Sequence, residues 1–169
     1  MDGVYFMCPG PVQSTIETML TMGLRFNSII SCTTRRCLDI ARDVSEAIPS
    51  RDAPFVSDLI LPQGVGRVRE PCSVLQADYP TIDFTGYFEE SIWPQVAESD
   101  EHLIERVQML MNTVNIMEGR ALIVAPHTVI KTYSGVNLAP GGFFRQHENA
   151  DLSIWAPLMS SSTSAHTSS

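Results

Sequence analysis

Val4-Tyr5-Phe6-Met7-Cys8-Pro9-Gly10 is the stretch whose reading decides the fold of this chain. A short apolar run rich in strand-forming side chains ends at a Pro-Gly turn, and a helical pattern follows at once. Val12 to Met22 places Val12, Ile16, Met19 and Leu20 on one face and is closed by Gly23. Phe26 to Cys32 reads as a second short strand. Thr33 and Thr34 offer caps for a helix running to about Ile48, with Leu38, Ile40, Ala41, Val44 and Ile48 as its apolar positions. Strand, helix, strand, helix within the first fifty residues or so predicts a parallel α/β sheet with helices on both faces, a three-layer α/β/α arrangement.

Further along, Phe55 to Leu61 reads as a third strand, and from Pro62 to Pro94 no period is sustained. Irregular stretches of that length are commonly functional, or caps over a site. Ser99-Asp100-Glu101 opens a helix whose stripe is Leu103, Val107, Leu110, Met111 and Val114, ended by Glu118-Gly119. Ala121 to Ala125 is continuous and apolar, as strands buried on both faces are. A helix from about Thr128 to Ser134, a Phe143-Phe144 segment and a last strand at Leu152 to Trp155 complete the pattern. The expected organisation is one domain over residues 1–158 and a disordered Ser/Thr-rich tail over 159–169.

Composition narrows the function classes. The 169 residues are 44% hydrophobic and 18% charged, enough for one domain with a substantial core. A net charge of −8 argues against nucleic acid and against an anionic membrane surface as partners, with Arg35-Arg36 the one basic pair to watch. No run is apolar for long enough to span a bilayer, and the start lacks a secretory signal, so the expectation is a cytoplasmic or otherwise intracellular protein. Cys8, Cys32, Cys37 and Cys72 are irregularly spaced, without a C-x-x-C pair or a nearby His at ligand spacing. They are read as free thiols, and no metal or other cofactor is expected. Cys8 and Cys32 are placed at the ends of neighbouring strands.

Taken in order and spacing, these elements resemble the histidine phosphatase (phosphoglycerate mutase-like) superfamily over roughly residues 4 to 158. Cys8-Pro9-Gly10 stands where that family has Arg-His-Gly. Ser31-Cys32-Thr33-Thr34-Arg35-Arg36-Cys37-Leu38-Asp39-Ile40-Ala41 is similar to its Ser-Pro-x-x-Arg-x-x-Gln-Thr-Ala segment, and Arg36 then falls on the second phosphate-binding arginine. Glu98-Ser99 with Arg106 resembles the family's Glu-Ser…Arg helix. Gly135-Val136-Asn137-Leu138 through Phe143-Phe144-Arg145 to Asn149-Ala150 and Ile154 is similar to its closing segment. Tyr79-Pro80, Asp83, Tyr87 and Glu98-Ser99 resemble, more faintly, the eukaryotic branch that suppresses T-cell-receptor signalling.

The resemblance implies a mechanism in which a neutral histidine attacks phosphorus. A second histidine and two arginines hold the phosphoryl oxygens, and an acid protonates the leaving oxygen. In this chain the nucleophile position is Pro9, the first arginine position Cys8, the acid position Leu61 and the second histidine position Pro126; of the five, Arg36 alone remains. General acid–base help is typically worth ~10²–10⁴-fold and a lost nucleophile more, so the chain is read as a pseudoenzyme that binds a protein partner or itself.

Two alternatives stand beside that reading. His127, one residue past Pro126, returns an imidazole to the pocket if the loop slips by one, and with Arg36 it makes the candidate pair for a divergent phosphatase or phospho-ligand binder. Cys8 could replace the nucleophile, but Cys8-Pro9-Gly10-Pro11 lacks two backbone N–H groups and the arginine that a cysteine-based phosphate loop needs. The helix starts after Cys32 and Pro126 still present free N–H groups that would hold phosphate or sulfate weakly. Asp58, Glu98 and Asp100 are read as solvated or capping residues, and Trp93 and Trp155 as packing.

Overall fold

The computed structural model describes residues 3–63, 69–88 and 98–146, with the backbone of 152–155. The Trp93, Asn149-Ala150 and tail expectations lie outside the described residues. The elements in chain order are β1 (Gly3–Met7), α1 (Gln13–Thr21), β2 (Ser28–Ser31), α2 (Arg35–Ala47), β3 (Phe55–Val56), a 3₁₀ turn (Asp58–Ile60), α3 (Cys72–Asp78), α4 (Asp100–Val114), β4 (Arg120–Val124), α5 (His127–Ser134), β5 (Phe143–Gln146) and β6 (Leu152–Trp155).

The six strands form one sheet in the order β3-β2-β4-β1-β5-β6. Pairs β1–β4, β4–β2 and β2–β3 are parallel, whereas β5 runs antiparallel to both β1 and β6. From β1 the chain steps through α1 to β2 and through α2 to β3 in one direction, then returns to β4 after α4. Right-handed crossovers that reverse direction put the later helix on the opposite face, which gives the three layers. The chain is α/β with a mostly parallel central sheet, as expected.

Ala121 to Val124 are buried without exception, as are Val4 to Met7 beside them, because helices cover both sides of these central strands. The apolar stripe of α4 is buried as its period predicts: Leu103, Val107, Leu110, Met111 and Val114. Phe6 stacks on Phe144 across the β1–β5 pair, ring centroids 5.5 Å apart.

Several local expectations are corrected. The third strand ends at Val56, because Ser57 turns the chain and its side chain accepts a hydrogen bond from the Leu59 amide at the start of the 3₁₀ turn. The irregular stretch contains α3, seven residues that begin directly after Pro71. Thr15 replaces Leu20 on the buried face of α1: its hydroxyl donates to the Gly141 carbonyl at 2.7 Å, while Leu20 is 44% exposed. Thr34 is the N-cap residue of α2 but makes no side-chain cap; its hydroxyl pairs with the Cys32 thiol instead. β4 lies between β2 and β1, so Cys8 and Cys32 end strands that are not neighbours.

Candidate functional site

The carboxyl ends of β2, β4 and β1 lie side by side, the place where open parallel sheets bind ligands. Cys32 continues from β2, Ala125-Pro126 from β4 and Cys8-Pro9 from β1. The register Met7↔Val124 puts Pro9 and Pro126 each two residues beyond the last paired position, level across the adjacent strands. The Ala125 amide donates to the Met7 carbonyl at 3.1 Å and fixes that level. Neither proline ring carries a lone pair for attack on phosphorus, an N–H for an oxyanion or a proton to give.

Cys8 is fully buried, its thiol donating to the Ala139 carbonyl at 3.1 Å. Burial raises this thiol above its ordinary value, outweighing nearby backbone hydrogen bonds and the charge of Arg36. A buried protonated thiol is a poor nucleophile. Gly10 survives for a steric reason: a Cβ there would stand 2.2 Å from the Gly141 amide nitrogen. Gly141, at φ +76°, reciprocates against the Pro11 carbonyl. The two loops interlock through their glycines, and the Gly141 amide donates to the Pro9 carbonyl at 3.2 Å.

Arg36 is exposed in the first turn of α2, and its charge acts, as a minor influence, on the Cys8 thiol. It forms no ion pair among the described residues. Arg35 is engaged by Glu70 at 2.6 Å and Asp78 at 2.7 Å, which pin α3 to α2 and remove half of the basic pair. His127 begins α5 directly after the N-cap residue Pro126; its Nε2 lies 2.6 Å from Asn137 Oδ1. That bond holds the imidazole on the loop after α5. Leu61, just past the 3₁₀ turn, packs partly buried against the core.

Two ion pairs that sequence reasoning did not find shape the wall beside these residues. Arg69 is 7% exposed; its guanidinium donates to Asp58 at 2.8 Å and to the Thr33 hydroxyl at 2.9 Å, and lies 3.9 Å from the centre of the Tyr87 ring. It therefore bridges the end of β2 to the 3₁₀ turn. Arg106 donates to both carboxylate oxygens of Glu98, at 2.7 and 2.8 Å, and to the carbonyls of Leu59 and Leu61. Asp58 and Glu98 are thus mostly buried partners of arginine, a correction to their solvated reading. Asp100 does sit in the first turn of α4, where it accepts a hydrogen bond from Gln63. Acidic residues around an isolated arginine in the sequence were the available signal, but which acid meets which arginine is set by tertiary folding. No cluster of His, Cys, Asp and Glu among the described residues is placed to hold a metal.

The ecdysone phosphate phosphatase of Bombix mori, solved in complex with tungstate, matches this fold with a TM-score of 0.63 over 93% of each chain at 8% sequence identity. YhfR of Bacillus stearothermophilus matches with a TM-score of 0.52 at 12% identity, over 93% of this chain and 96% of its own. Both are histidine phosphatase superfamily proteins. This chain has the phosphoglycerate mutase-like fold of that superfamily. No protein-family model matches the chain, and no curated protein matches it in sequence.

Proposed function

We propose that this protein is a catalytically inactive member of the histidine phosphatase fold that acts by binding a protein partner or a second copy of itself. The observation that carries the reading is the level pair Pro9 and Pro126 at the adjacent ends of β1 and β4. The surrounding groups support it. Cys8 is committed to Ala139, His127 to Asn137 and Arg69 to Asp58, and Leu61 presents no acid. Among the described residues, a phosphoryl group placed there meets one uncommitted cation, Arg36, and no nucleophile.

For the binding role, the stretch from Pro62 to Pro94 supplies the contact region. Its described part displays Val74 at 43% and Phe88 at 80% exposure, apolar side chains outside the core. The net charge of −8 favours a partner that is not a nucleic acid or an anionic membrane. No helix among the described residues is long and apolar enough to cross a membrane.

The test is hydrolysis of a generic phosphomonoester by the purified protein. Rates at the buffer background, unchanged in Arg36→Ala, are expected; turnover well above background that Arg36→Ala abolishes overturns the proposal. A second reading, weak oxyanion binding, is favoured by the exposure of Arg36 and its charge at the strand ends. It requires that millimolar tungstate or phosphate raise the melting temperature and that Arg36→Ala remove the rise.

A further inference from the structure

In the wall beside the strand ends, the Asp58 carboxylate is received as a bound anion would be. It accepts two N–H bonds from the Arg69 guanidinium, at 2.8 and 3.3 Å, and a third from the Phe88 backbone amide at 3.0 Å. These donors reach it from residues 11 and 30 positions further along the chain. Two guanidinium N–H groups and a main-chain amide converging on one pair of oxygens is the donor set that carboxylate and phosphate groups share.

The donors are held in place by contacts that do not involve Asp58. The guanidinium also donates to the Thr33 hydroxyl at 2.9 Å and lies 3.9 Å from the centre of the Tyr87 ring. The Tyr87 hydroxyl is tied to the Glu70 carbonyl at 2.6 Å, and the Tyr87 amide to the Phe84 carbonyl at 3.0 Å. The supporting ring and the donating amide therefore belong to adjacent residues. Thr33 directly precedes Thr34, the N-cap residue of α2, whose first turn contains no acidic side chain. The positive end of that helix adds to the same field. The Arg69 side chain is 5% exposed and that of Asp58 17%, so the carboxylate is the partner that solvent reaches. Removing it leaves an enclosed cation uncompensated.

We propose that Arg69, the Phe88 amide and Thr33 form an anion-binding cradle whose resident anion is the chain's own Asp58 carboxylate. Its external ligand is an inorganic oxyanion of the sulfate or phosphate class, shut out of the native chain by Asp58 and admitted once that carboxylate is gone. Such an oxyanion takes the same three N–H bonds. It also offers an oxygen to the Thr33 hydroxyl, which accepts from Arg69 and keeps its own proton to donate. The cradle is built on a different arginine from Arg36, and it holds whether or not the chain binds a protein partner.

The experiment compares the full-length wild type with Asp58→Ala, melted in sodium chloride and in about 10 mM sodium sulfate at equal ionic strength, followed by circular dichroism. The wild type subtracts the general stabilising effect of sulfate on folded chains. In Asp58→Ala the rise in melting temperature with sulfate should exceed the wild type's by roughly 3–6 °C, the shift a millimolar Kd gives at that concentration. The excess should vanish when Arg69→Met is added to Asp58→Ala. Equal rises in the wild type and Asp58→Ala, or an excess that survives Arg69→Met, overturns the proposal. Should Asp58→Ala be unfolded in chloride, the expected result is recovery of its native circular dichroism on adding sulfate. Failure to recover it then counts against the cradle.

Discussion

At Gly10 a methyl group has nowhere to go. The Cβ of Gly10→Ala would overlap the Pro140–Gly141 backbone, and overpacking of this kind costs about 1–3 kcal/mol. For a chain of this length the melting temperature should fall by roughly 2 to 12 °C, measured by circular dichroism. The turn's glycine is thus kept by packing, with no reference to chemistry at the residue before it. Arg69 gives a second prediction. Arg69→Met removes the cation from a mostly buried pair and leaves Asp58 without its charged partner. Breaking such a pair costs on the order of 3–5 kcal/mol, and Asp58→Asn added to it should recover part of the loss; urea unfolding of the two variants measures both. That Pro9 and Pro126 stand just beyond two strands was legible in the sequence, because each follows an apolar strand run directly. The engagement of His127 by Asn137 was not, since it depends on where the loop after α5 returns.

Elements with a sustained period were read correctly from sequence: β4 from its continuous apolar run and α4 from its stripe. Two shorter ones, α3 and β3, were not. The seven residues of α3 offer one buried position, Leu75, too few to show a period. β3 was read too long because Leu59, Ile60 and Leu61 continue the apolar run while Ser57 has already turned the backbone. α4 is docked by charge as well as by its stripe, and this gives a pH prediction. Burial alone would raise the Glu98 carboxyl, but hydrogen bonds and charge from Arg106 and His102 hold it below its ordinary 4.5. A carboxylate lowered in the folded state stabilises above its unfolded value and loses that contribution as pH falls through the folded one. The wild type should therefore lose more stability than Glu98→Gln when the pH is lowered from 7 to about 3, near and below the unfolded carboxylate range. Urea midpoints at the two pH values measure the difference.

The molecule as a whole illustrates that a fold and its chemistry are separable. Mostly parallel pairing and layer arrangement follow from the alternation of elements, which is why the fold class was accessible from the sequence, whereas the insertion of β4 between β2 and β1 was not. What the strand ends do is decided by a handful of side chains, and here those include two prolines and enclosed thiols. The central proposal is that no group at this site, among the described residues, can accept a phosphoryl group. Its most direct test is covalent: native protein is incubated with a radiolabelled phosphomonoester, denatured at once in alkaline detergent that preserves phosphohistidine, and counted. The account predicts label no higher than on chain denatured beforehand, for the wild type and Arg36→Ala alike. Label approaching one phosphoryl group per chain, lost in Arg36→Ala, would contradict it.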